Sequence, residues 1–115
     1  MEYMLLIYDR ETDWMKLAEK DRGAMFKEYG AFTEGLKKNG NLRAGNALQP
    51  VTSATTVRVR DGKTVSTDGP FAETREQLGG YYLIEAKDLD EAISIAARVP
   101  SARSGSIEVR PIMAH

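Results

Sequence analysis

The chain has no cysteine and a single histidine in 115 residues. The first absence excludes a disulfide framework, a thiolate nucleophile and a thiolate zinc site. The second removes the side chain that most readily serves as acid and base near neutral pH. The one imidazole, His115, is the last residue and reads as a frayed terminus. Only carboxylates remain to hold a metal, and none follows calcium-loop spacing, so no metal and no cofactor is expected. No glycine-rich loop follows a strand and opens a helix, so nucleotide binding has no support. An excess of one charge sign is also missing. Sixteen basic residues face seventeen acidic ones, for a net charge of −1. That balance gives no field to draw in nucleic acid or an anionic membrane, and no helix-turn-helix pattern appears. The longest apolar run is too short for a membrane span and lacks a basic leader, so a cytoplasmic location is expected.

What is present is ordinary globular composition, 42% hydrophobic and 29% charged, sized for one domain over residues 1–115. Tyr3 to Tyr8 is continuously apolar, as in a strand covered on both faces. Asp9 to Glu19 reads as a loop with a turn of helix near Trp14. From Lys20 to Lys38 the pattern becomes helical, with Met25, Tyr29, Phe32 and Leu36 on one face and Gly40 as the stop. Gly23, Gly30 and Gly35 weaken this helix, with close backbone packing at Gly30 as the sharper reading. Leu42 to Leu48 is a short strand candidate. Asp61-Gly62 between the alternating runs Thr55–Arg60 and Lys63–Thr67 predicts a two-residue hairpin. Tyr81 to Ala86 is a strand. Asp88 caps a helix whose stripe is Leu89, Ala92, Ile93, Ala96 and Ala97, and Pro100 ends it. Ser106 to Ile112 is the last strand, with Pro111 marking an edge or an end. The order predicts an α+β, ferredoxin-like antiparallel sheet with two helices on one face.

Such a sheet leaves one face without helices. If Val57 and Val59 pack beneath the helices, Arg58, Arg60, Glu108 and Arg110 lie on the free face. A solvated charged face explains that pattern. So does a cleft between two subunits, in which arginine forks bind a small anionic molecule. Met4, Leu6 and Tyr8 are as apolar as Tyr3, Leu5 and Ile7, so both faces of the first strand want cover, and dimerisation would supply it.

The segment Asp68 to Gly80 is the most distinctive. In Asp68-Gly69-Pro70, aspartate caps its own turn, glycine takes an unusual angle and proline fixes the next. Phe71 is expected to anchor the loop, while Glu73, Arg75 and Glu76 line a cleft rim or stand in solvent. Gly79-Gly80 allows a bulge or a close backbone approach. The turn chemistry has an architectural reading of equal standing, in which Asp68 serves the fold alone.

This segment resembles the signature of the DGPF-domain proteins within the YCII-related family. The similarity extends to Tyr3-Met4-Leu5-Leu6, to Arg58 with Asp61-Gly62, to Asp88–Ala97 and to Gly105–Pro111. The resemblance implies a homodimeric α/β barrel, with sheets packed free face to free face. It also brings a dehydrochlorinase branch, acting on a chlorinated muconate-like acid through a histidine–aspartate pair, and an association with extracytoplasmic-function sigma factors. Here Tyr29 stands at the position matching the histidine, and Val99 precedes Pro100 where the family has aspartate, so the lyase activity is not carried over. The expected ligand-binding set is Arg58, Arg60, Asp68, Phe71, Glu73 and Arg110, with Asp68 or Glu73 as acid/base candidates.

Overall fold

The computed structural model describes residues 1–114; the reading of His115 falls outside them. Among the described residues, six strands and three α-helices follow in the order β1 (Glu2–Asp9), α1 (Glu11–Lys16), α2 (Glu19–Lys38), β2 (Leu42–Ala47), β3 (Thr55–Arg60), β4 (Lys63–Asp68), β5 (Gln77–Glu85), α3 (Leu89–Arg98) and β6 (Ser106–Pro111). Four of the strands form one antiparallel sheet in the order β2-β5-β1-β6. The expected α+β class with antiparallel strands holds.

Apolar alternation sets the core. Tyr3, Leu5 and Ile7 of β1 join Tyr82 and Ile84 of β5, Leu36 of α2, and Ala92, Ile95 and Ala96 of α3 in one buried cluster. Tyr29 and Phe32 pack against it, so the predicted face of α2 is the buried one. The remaining β1 side chains, Met4, Leu6 and Tyr8, point to the other side, where they stay half-buried. Register places Arg110 beside Met4 and Glu108 beside Leu6 on that helix-free side, as the alternation required. β6 is an edge strand, consistent with Pro111 at its end.

Several turns take the conformation that their residues require. Asp61 and Gly62 have φ of 51° and 75°, the pair of positive angles that a type I′ hairpin needs. Gly40 ends α2 at φ 76°. Asp88 accepts a hydrogen bond from the Glu91 main-chain N–H at 2.9 Å, closing the first turn of α3. Asp88→Ala is expected to cost about 1 kcal/mol in a urea melt.

Four expectations need correction. β3 does not join the main sheet. It pairs only with β4 in a separate two-stranded ribbon, and Val57 and Val59 are each 61% exposed. Alternation tells which residues share a side but not which sheet the strand joins. The stripe of α3 is rotated from the expected one. It buries Ala92, Ile95, Ala96 and, just beyond, Val99, while Leu89 and Ile93 are half exposed. That set has the i, i+3, i+4, i+7 spacing, and the position of the sheet chose it over the neighbouring stripe. A side chain at Gly30 would meet nothing within 4 Å, so close packing there does not occur. Phe71 anchors nothing, being 78% exposed.

Close packing occurs at other glycines. Gly80 sits where a Cβ would come within 3.0 Å of the Asn46 carbonyl oxygen. Gly79 is skipped in the β1–β5 register, which passes from Ile7 opposite Gly80 to Tyr8 opposite Leu78. The expected bulge and close approach at Gly79-Gly80 are therefore both present.

Candidate functional site

The bulge and the bare backbone of Gly45, Gly79 and Gly80 leave room on the helix side of the sheet. There the end of β1, α1, the first half of α2, and the adjoining ends of β2 and β5 enclose a cavity of about 450 Å³. Ile7 and Tyr82 form its floor, and Trp14, Met15, Phe26 and Leu48 line its walls. Trp14 and Phe26 meet edge to face with ring centroids 5.7 Å apart. Large apolar walls with few polar groups are what small-molecule pockets ordinarily show.

Among the polar groups that line it are two hydroxyl pairs. Tyr29 OH and Ser101 Oγ are 2.6 Å apart, and Thr33 Oγ1 and Tyr82 OH are 2.8 Å apart. All four residues line the cavity. Tyr29 and Thr33 are one turn apart on α2, so both project from the face that meets the sheet. Ser101 is buried in the short 3-10 turn Pro100–Arg103 that follows α3. Tyr82 can lean toward Thr33 because Gly45 has no side chain; a Cβ there would lie 2.7 Å from the Tyr82 ring.

Burial pushes the Tyr29 phenol above its ordinary pKa of 10.0, outweighing the hydrogen bonds from the Ser101 side chain and main chain; Tyr82 and Asp9 push the same way. Tyr29 is therefore a neutral phenol. Either hydroxyl of the pair can donate; when Ser101 donates to the phenol oxygen, the Tyr29 proton is free for a ligand oxygen.

The mouth is built from charged residues that also hold α1 in place. Asp9 accepts from Ser104 Oγ at 2.7 Å and from the Arg10 main-chain N–H at 2.9 Å. The Glu11 carboxylate accepts from the Val51 main-chain N–H at 3.0 Å, and Gln77 Oε1 accepts from the Glu11 main-chain N–H at 2.9 Å. These contacts tie α1 to the β2–β3 connection and to the start of β5. A short helix without any fully buried residue is positioned largely by such ties.

The residues expected to bind ligand lie elsewhere. Arg58 and Arg60 are on the β3–β4 ribbon, where Arg60 Nη1 donates to the Val59 carbonyl at 3.0 Å. Asp68 ends β4 opposite Thr55, at the base of the ribbon. Gly69 has the unusual angle foreseen for it, φ 103°. Phe71 and Glu73 are exposed in the connection to β5. Arg110, on the helix-free side, is ion-paired with Glu108. None of the six lines the cavity, and one chain does not gather them into a cleft. The sequence signal for the cavity was the hydroxyl-bearing pair Tyr29 and Thr33 on an otherwise apolar helix face. Ser101 and Trp14 gave none.

Comparison with known proteins places these features in context. The model of the YCII-related domain matches residues 1–115. The chain is 37% identical to an uncharacterized protein of Rhizobium meliloti (strain 1021) over 114 residues, 97% of this chain and 92% of that one. In fold it is similar to 5-chloro-2-hydroxyhydroquinone dehydrochlorinase from Burkholderia phenoliruptrix AC1100, solved in complex with 2,5-dihydroxybenzoquinone, with a TM-score of 0.56 and 16% identity over 98% of this chain and 94% of that one. That dehydrochlorinase is named for a chlorinated aromatic ring, not for a muconate-like acid. Its low identity bears on fold alone. By the match along its whole length, this chain belongs to the YCII-related family.

Proposed function

We propose that this protein binds a small, flat, oxygenated ring in the cavity between α1, α2 and the sheet. The observation that carries the reading is the pairing of apolar walls with four hydroxyls, one of them the neutral phenol of Tyr29. An aromatic or quinonoid ring satisfies the walls of Trp14 and Phe26, and its ring oxygen accepts a hydrogen bond from Tyr29. An anionic ring oxygen gains most, because a hydrogen bond to a charged acceptor in an apolar site is the stronger kind. The dehydrochlorinase with a similar fold, solved with 2,5-dihydroxybenzoquinone, supports this ligand class. Its elimination chemistry is not carried over, since no imidazole among the described residues lines this cavity.

Trp14 is the only tryptophan, so its fluorescence reports on the cavity directly. Titration with 2,5-dihydroxybenzoquinone is expected to quench it saturably, and calorimetry is expected to give one site per chain. No saturable heat with that compound or with hydroquinone removes the reading.

The same reading includes a ferredoxin-like subunit that forms a homodimeric α/β barrel through its helix-free sheet face. Its support is the half-buried apolar centre of that face, Met4, Leu6, Tyr8, Tyr81 and Leu83. A cleft between subunits would be a second place for Arg110 to act, once Glu108 releases it.

A further inference from the structure

The chain exposes 8216 Å². A folded monomer of 12.8 kDa is expected to expose about 6,300 Å², which leaves a surplus of about 1,900 Å². The radius of gyration is 16.1 Å, against about 13 Å for a compact chain of this length. The molecule measures 48 × 44 × 19 Å, a slab rather than a sphere. Obligate homodimers bury about 2,000 to 5,000 Å² in total, so the surplus is of the size that one subunit of such a dimer hides.

The β3–β4 ribbon is exposed along both strands, apart from half-buried Thr56. It leaves the main sheet between β2 and β5 and pairs with neither. Val57 and Val59 share one side of it, beside Ser66 and Thr64 of β4, and are each 61% exposed; Phe71, just beyond, is 78% exposed. Two neighbouring valines this exposed are the apolar part of that side. The ribbon is nevertheless well made. Its tip closes on the positive φ pair of Asp61 and Gly62. At its base the Gly69 main-chain N–H donates to the Ala54 carbonyl at 2.7 Å, and Thr56 Oγ1 donates to the Gly69 carbonyl at 2.8 Å. An isolated two-stranded ribbon is marginal in water, so an ordered one with two exposed valines on one side calls for something to lie against.

We infer that the β3–β4 ribbon is an intersubunit arm, laying its Val57 and Val59 side against a second copy of this chain. The inference rests on the homodimer of the preceding reading and extends it: the arm enlarges the interface of the sheet faces. Two-fold symmetry makes each such contact occur twice. Arg58 and Arg60, on the ribbon's opposite side, stay hydrated and keep a separated subunit soluble.

Sedimentation of the intact chain and of the double variant Val57→Glu/Val59→Glu tests this, with circular dichroism checking that the variant is folded. The intact chain is expected to sediment as a dimer, and the variant to dissociate at about a hundredfold higher concentration. Hydrogen exchange of the unaltered protein supplies a readout that needs no variant. Amides of residues 55–68 are expected to exchange faster on dilution through the dimer's dissociation range. A dimer that ignores both charges, with exchange in the arm independent of concentration, overturns the arm while leaving the sheet-face dimer in place. An intact chain that is monomeric at 100 µM, a concentration on the order of a hundred times a micromolar dissociation constant, overturns both.

Discussion

Gly105→Ala is expected to destabilise the fold by about 3 kcal/mol, the upper part of the usual range for overpacking. Gly105 joins the turn after α3 to β6, and its main-chain N–H donates to the Ser101 carbonyl at 2.7 Å. A Cβ there would be driven into the Tyr8 carbonyl, with that carbonyl's carbon at 3.0 Å and the Asp9 Cα at 3.1 Å. These are main-chain atoms of β1, and they have no rotamer by which to yield. Either β6 separates from β1 at its first pair, Ser106 with Tyr8, or the turn holding Ser101 shifts. Chemical denaturation measures the loss. A destabilisation below 1 kcal/mol would show that the two segments have slack that the structure does not display. The same displacement pulls Ser101 from Tyr29, so ligand affinity is expected to fall as well.

Tyr29→Phe is expected to weaken binding of 2,5-dihydroxybenzoquinone tenfold to a hundredfold, corresponding to about 1.5–3 kcal/mol for a hydrogen bond to a charged oxygen. The substitution keeps the ring and its packing and removes only the hydroxyl. It also leaves Ser101 Oγ without its partner. A second signature reports the burial of the phenol. The pKa of Tyr29 is raised above 10.0 by burial. The unfolded chain therefore gives up this proton at lower pH than the folded one. The associated stability is complete below pH 10 and is lost as pH rises through the folded value. The wild-type urea midpoint is expected to fall with alkaline pH more steeply than that of Tyr29→Phe. Parallel curves would mean that this phenol titrates as it does in water.

The sequence disclosed most where the physics is local. Asp88 is a cap because its side chain reaches an amide three residues away, and Asp61-Gly62 is a turn because of its own backbone angles. The first strand was legible for a related reason: Tyr3 to Tyr8 is apolar on both sides, whatever surrounds it. Long-range choices were not written in such patterns. Val57 and Val59 alternate as any half-covered strand does, and nothing in their neighbours says that β3 stays out of the sheet. The cavity was harder still. Tyr29, Ser101, Gly45 and Tyr82 come from four elements, and their meeting follows from the sheet order. The arginines drew attention by their charge, yet the cavity interior presents neutral hydroxyls that resemble ordinary core tyrosines and serines.

The sheet order β2-β5-β1-β6 also has a consequence for synthesis. β1 lies between β5 and β6, so its first hydrogen-bonded neighbour begins at Gln77. A ribosome has released most of this chain before the most apolar strand can find a partner. Until then only α1, α2 and the β3–β4 ribbon can form from neighbouring residues. Pairings this distant in sequence make folding slow, and an unpaired apolar strand invites aggregation while it waits. A chaperone that grips extended apolar segments is expected to hold nascent Tyr3 to Tyr8. Ribosome-bound chains stalled before residue 77 should be recovered with such a chaperone, and full-length released chains should not.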